Sequence, residues 1–156
     1  MRSVKKYVFS IIIFTMSSLL MTGCSKDEVL GRYNDVIQSV GNIELTGDII
    51  LKGDREYGVD HYVGSYEADY KIFSGIEYLF GGTSIERESG KDVSVSCSLM
   101  VTNGTAKIFW ISGSNEPAVL LEAEGDYCDT IMLPDGGNYI GVNCDSFTGS
   151  VNINIE

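Results

Sequence analysis

The chain is poor in the residues from which many catalytic and nucleic-acid-binding sites are built. Its 156 residues include a single histidine, His61, and no two cysteines separated by two residues, so the ligand spacing of a structural zinc site is missing. Basic residues number 11 against 22 acidic ones, which excludes the clustered Lys and Arg that phosphate backbones require; no nucleic-acid partner is expected. There is no GxSxG nucleophile elbow, no phosphate-binding loop and no dinucleotide fingerprint. Asp60 stands beside His61 and serines are plentiful, but a lone histidine on the outer face of a strand is ordinarily a solvated residue. Almost any two of the 22 acids could be assembled into a glycosidase pair, so their presence discriminates nothing. No enzymatic activity is expected.

What is present begins at the N-terminus. The opening MRSVKKYVFSIIIFTMSSLLMTGCS carries Arg2, Lys5 and Lys6, then an apolar stretch over residues 7–21, then small residues before Cys24. This is the order of a secretory leader, and about 15 apolar positions fall short of the roughly 20 that a membrane-spanning helix needs. Leu20-Met21-Thr22-Gly23-Cys24 resembles the lipobox of bacterial lipoproteins, departing from it at Met21, where leucine is usual. The resemblance implies that residues 1–23 are cleaved and that Cys24 is acylated and becomes the mature N-terminus. The product would then be anchored by its lipid on the extracytoplasmic face of the cell membrane, durably once two or three acyl chains are attached. Removing 23 residues from 156 leaves 133, the size of one domain with a core that needs no disulfide staples. Arg2, Lys5 and Lys6 leave with the leader, so 8 basic residues face 22 acidic ones in the mature chain, a net charge of −14 suited to solubility outside the cell.

With Cys24 acylated, three cysteines remain, and an odd number leaves at least one free thiol or an intermolecular bond. Cys97 shares parity with Val93, Val95, Leu99 and Val101, and Cys144 with Ile140 and Val142, so both read as small core residues. A Cys97–Cys144 disulfide between neighbouring strands is the alternative that export permits. Cys128 reads as peripheral.

Residues 24–43 form a lipidated N-terminal stretch distinct from the rest of the chain. Ser25 and Glu28 have capping-box spacing, and Val29, Leu30, Tyr33, Val36, Ile37 and Val40 recur at helical intervals, which allows a short helix; an extended tether is the other reading, and Gly31 weakens the helix. Over residues 44–156 the period is two. Residues 60–73 place Tyr62, Tyr66, Ala68, Tyr70 and Ile72 on one face and His61, Ser65, Glu67, Asp69 and Lys71 on the other, as a long strand with one dry face does. Further apolar runs lie at 76–80, 92–101, 105–111, 118–122, 130–133, 139–143 and 151–155, separated by glycine-containing turn signals. Asn103-Gly104 between two alternating runs predicts a tight hairpin. Eight or nine short strands at this spacing predict an all-β fold, an antiparallel β-sandwich of jelly-roll type.

The closing strands carry a second resemblance. Gly104-Thr105-Ala106-Lys107-Ile108-Phe109-Trp110, then Thr130-Ile131-Met132-Leu133, Gly137-Asn138-Tyr139-Ile140-Gly141-Val142 and residues 149–155 are similar to the last strands of bacterial pre-peptidase C-terminal domains. Those are secreted jelly-roll modules without catalysis of their own, and the likeness supports fold more than function. The mature chain also resembles the short lipoproteins common in Gram-positive genomes, which implies no activity.

Two sites are candidates. Glu122, Glu124, Asp126 and Asp129, with Asp135 and Asp145 in nearby loops, offer hard oxygen ligands of the kind that hold structural calcium in jelly-roll modules; the competing reading is a solvated acidic edge. Tyr62, Tyr66, Tyr70 and Trp110 lead a surplus of aromatics that would either pack the core or line a binding face. No other cofactor is expected. The functional expectation is a non-catalytic module that binds a glycan or another exported protein, with a structural or assembly role in an envelope complex as the alternative.

Overall fold

The computed structural model describes residues 43–83 and 87–156. The leader, the lipobox residues Leu20 to Gly23, Cys24 and the helix or tether expected before residue 43 lie outside the described residues. Those described contain only strands, turns and bends: β1 (Asp54–Tyr57), β2 (Gly64–Gly82), β3 (Asp92–Ser112), β4 (Ala118–Leu121), β5 (Gly125–Met132) and β6 (Asn138–Ile155). They form one antiparallel sheet in the order β1-β2-β6-β3-β4, with β5 also paired to β3.

Three strands are far longer than the short runs expected from the sequence: β2 has 19 residues, β3 has 21 and β6 has 18. Each runs through two halves of the molecule. The first half of β3 lies between β5 and the end of β6, with Cys97 opposite both Tyr127 and Ile153. Its second half lies between β4 and the beginning of β6, with Trp110 opposite Ala118 and Ile140. Tyr70 and Glu77, both on β2, would stand about 23 Å apart along a straight strand. Their side chains nevertheless meet at 2.5 Å, so the strand folds back on itself. The sheet, which is not closed, thus folds over on its own inner face, and inward residues of both halves share one core that includes Tyr66, Phe80, Leu99, Ile108, Phe147 and Ile153.

Folding a strand over changes which residues point inward. The buried set on β2 passes from Tyr66, Ala68 and Tyr70 to Glu77 and Leu79; on β3 from Val93, Val95, Cys97 and Leu99 to Ala106 and Ile108; on β6 from Ile140, Val142 and Cys144 to Phe147, Val151 and Ile153. Each passage switches parity, which demands an odd residue in the strand. Register shifts supply it between Tyr70 and Phe73 and between Val101 and Thr105. Asn103-Gly104 is therefore a correction to the hairpin expectation. Both flanking runs pair with β6 and belong to β3, and Gly104 (φ 73°) sits at the fold, where a Cβ would collide with the backbone of Ser146. A turn dipeptide and a strand corner make the same local demand for positive φ, and only the partner strand distinguishes them.

The three described cysteines are unpaired. Cys97 and Cys144 are buried and lie opposite Ile153 and Ala106, well apart along the ladders, while Cys128 is exposed as its position suggested. Burial pushes the Cys97 thiol up to about 11, with Asp126 and Cys128 adding to the rise, and the Cys144 thiol up to about 12, with Glu77 adding to it.

Candidate binding groove

The second half of the sheet is apolar on both faces. While Leu79, Ile108 and Val142 face the main core, Tyr78, Phe109, Ile111 and Tyr139 point the other way and form a second cluster with Ile43 and Leu45. Residues 43–46 run along this outer face. Thr46 donates its N–H to the Tyr78 carbonyl at 2.9 Å, and its Oγ1 accepts the Tyr78 N–H at 2.9 Å.

This strip covers only part of the outer face. Beside it a groove of about 130 Å³ is lined by Ile76, Tyr78, Phe109, Ile111, Pro117 and Val119, with Lys107 and Asn143 at its rim. The strand register explains its shape. Across β2, β6, β3 and β4, Tyr78, Gly141, Phe109 and Val119 stand in one row. Gly141 lowers the middle of that row, since a Cβ there would press on the Phe109 ring at 2.9 Å. Over the glycine the Tyr78 and Phe109 rings meet edge to face, 5.8 Å apart at 89°, and Tyr78 meets Tyr139 at 6.1 Å and 73°. Ile76 and Val119 are each about half exposed at 49%, so water reaches the apolar walls. Lys107 is held to Glu122 at 2.6 Å. An apolar hollow of roughly 150 Å³ accepts one aromatic ring, so this groove has room for one apolar side chain and not for an extended ligand.

The tyrosines expected on a binding face lie elsewhere. Tyr62, Tyr66 and Tyr70 are core residues, buried because their parity faces the fold-over. The hydroxyls of Tyr66 and Tyr70 donate to Oε2 of Glu77 at 3.0 and 2.5 Å and lie 2.9 Å from each other. Oε1 of Glu77 accepts the Lys52 N–H at 2.9 Å, so this 2%-exposed carboxylate has three donors. Burial, followed by hydrogen bonding and the Glu77 charge, raises the Tyr70 phenol well above its ordinary range. Trp110 is half-buried, and its Nε1 donates to Asn138 Oδ1 at 3.3 Å. The only hint of Glu77 in the sequence is one charge inside the apolar run Ile76 to Phe80; the groove's signal is that 108–111 is apolar without alternation.

The acidic residues proposed for calcium do not converge. Glu122 pairs with Lys107, Glu124 accepts the Val101 N–H at 3.3 Å, and Asp129 accepts the N–H of its neighbour Thr130 at 2.8 Å. Asp126 lies opposite Ser98 on β5. Among the described residues no three His, Cys, Asp or Glu side chains are grouped to hold one metal ion. His61 stacks on Tyr57 at 4.5 Å, and the Asp60 carboxylate accepts from Arg87 at 2.6 Å and from the Tyr62 N–H at 2.9 Å. No described helix is long and apolar enough to cross a membrane.

No protein-family model matches the chain, and no curated protein matches it. Among solved structures it is similar to a chain in the crystal structure of accessory secretory proteins 1, 2 and 3 of Streptococcus pneumoniae, with a TM-score of 0.30 and 13% identity over 72% of this chain and 90% of that one. It is also similar to chains of infectious bursal disease virus. The Gx strain gives a TM-score of 0.25 and 14% identity over 67% of this chain and 31% of that one. The Gt strain gives 0.26 and 11%, over 71% and 36%. At TM-scores of this size the likeness says nothing about what the groove does.

Proposed function

We propose that this chain is a non-catalytic binding module, anchored by lipid at Cys24 on the extracytoplasmic face, whose groove over Gly141 takes one apolar side chain of an exported protein. The groove carries the reading: it is an open apolar depression on a strongly acidic chain, and all of its apolar walls except Pro117 stand on β-strands. Between the two expected ligand classes its geometry favours protein over glycan. Sugars stack on a ring face laid open to solvent, whereas Tyr78 and Phe109 meet edge to face and leave a narrow slot. The leader and lipobox resemblance support the anchor.

Thermal unfolding of the full chain in the presence of N-acetylphenylalaninamide, a soluble stand-in for a partner's ring, tests the groove beside a panel of cell-wall glycan fragments. A midpoint that rises with the amide and no longer does so in Val119→Lys supports the reading, because only ligand bound to the native state stabilises it. A rise with glycan alone moves the assignment to a sugar. The absence of any rise leaves the structural or assembly role to pursue. Intact-mass measurement of wild type and Cys24→Ala reports on the anchor separately.

A further inference from the structure

The loop leading into the sheet, residues 43–53, is held along most of its length and yet leaves two isoleucines in water. Ile43 and Leu45 pack on the outer cluster, and Thr46 is bonded to Tyr78. Arg55, whose side chain is 3% exposed, donates to the carbonyls of Thr46 and Leu79 at 2.8 and 3.0 Å and to the Asp48 carboxylate at 2.5 Å. The Gly47 carbonyl accepts the N–H groups of Ile50 and Leu51 at 2.9 and 3.2 Å, Leu51 packs on the main core, and Lys52 reaches Glu77. Between these fixings Ile49 is 101% exposed and Ile50 67%. Two adjacent apolar side chains on a braced turn cannot be covered by rearranging the loop; what covers them comes from outside it.

Two observations favour a lipid surface. The pair sits at a turn tip, a convex feature suited to a medium that yields around it, and too small for a protein interface on its own. Last, Ile49 is six residues from Ile43, at most about 20 Å of chain. The tip therefore lies near the point where the chain coming from Cys24 enters the domain.

We infer that Ile49 and Ile50 insert into the interfacial layer of the bilayer to which Cys24 tethers the chain, giving the domain a fixed orientation on it. This rests on the lipid-anchor reading of Cys24. The test uses the lipidated full chain in vesicles of equal parts phosphatidylcholine and phosphatidylglycerol. An environment-sensitive fluorophore is placed at Ile50→Cys in a Cys128→Ser background, and at Glu156→Cys as the control. Insertion blue-shifts the emission at position 50 and makes it quenchable by brominated acyl chains, leaves position 156 water-like, and is lost when Ile49→Ser is added. A chain that floats with the vesicles while position 50 stays water-like overturns the tip and leaves the anchor standing. A chain that does not float overturns both. A blue shift that brominated lipid does not quench points to a second copy or another protein on the tip, and also overturns it.

Discussion

Replacing Glu77 with leucine tests whether the fold-over depends on the charge in its core. The swap nearly conserves volume and removes a buried carboxylate, so desolvation alone would make it stabilising. The geometry argues the opposite sign. Glu77 is the acceptor for the Tyr66 hydroxyl, the Tyr70 hydroxyl and the Lys52 N–H. Without it the two phenols, 2.9 Å apart, can satisfy one of their donors by bonding to each other. One phenol donor and the Lys52 N–H are left orphaned, at about 2 kcal/mol each, or about 4 kcal/mol in all. For a domain of this size that lowers the melting midpoint by about 16 °C. The triple variant Tyr66→Phe/Tyr70→Phe/Glu77→Leu removes the orphaned phenol as well, and should recover about 2 kcal/mol, near 8 °C, despite having two more substitutions. Urea unfolding and calorimetry of wild type, Glu77→Leu, Glu77→Gln and the triple variant decide it. The amide should be milder than leucine, since its oxygen still accepts from Lys52 while the phenols rotate to accept from its nitrogen. A triple variant less stable than Glu77→Leu would refute the reasoning.

Thiol titration with Ellman's reagent should find one fast cysteine, Cys128, in the native chain and three after denaturation if Cys24 is acylated; four would contradict acylation, and a native count of two or more would contradict the buried positions of Cys97 and Cys144. Because burial raises the Cys97, Cys144 and Tyr70 acids, the folded state keeps protons that the unfolded chain gives up, so stability should hold through neutral pH and fall as pH rises from about 9. Cys144→Ala should flatten that decline in denaturant midpoints measured from pH 8 to 11, and a stability that rises over this range would contradict the assignment. At the corner, Gly104→Ala should destabilise by about 2 kcal/mol, since φ is positive and the Ser146 backbone blocks a Cβ. The exposed Ile72, a β-branched residue at φ 50°, should become about 1 kcal/mol more stable as Ile72→Asn; unfolding midpoints that move the other way in either variant would show the corner conformation to be wrong.

Much of the architecture was legible along the chain, and its limits have a local cause. Alternation marks most of the inward positions, and Val151, Ile153 and Ile155 are buried as their parity says, whereas Ile72, expected on the face of Tyr66 and Tyr70, is exposed where β2 folds over. The all-β antiparallel class follows from the same period. Strand number does not, because Asn103-Gly104 and Thr148-Gly149 describe a backbone bend without saying whether the chain reverses or continues against the same partner. That is decided by β6, which pairs with both halves of β3. The candidate sites divide in the same way. Tyr62, Tyr66 and Tyr70 share a face in the sequence, and tertiary structure decided that this face is the inner one, with Glu77 brought onto it by a fold-over no local pattern encodes. The groove needs four strands in register, and Gly141 acquires its meaning only between Tyr78 and Phe109. Composition and the period of two are properties of neighbours along the chain, so the sequence by itself determines them. The core carboxylate, the groove and the braced isoleucine tip depend on residues far apart along the chain, and these only the tertiary structure decides.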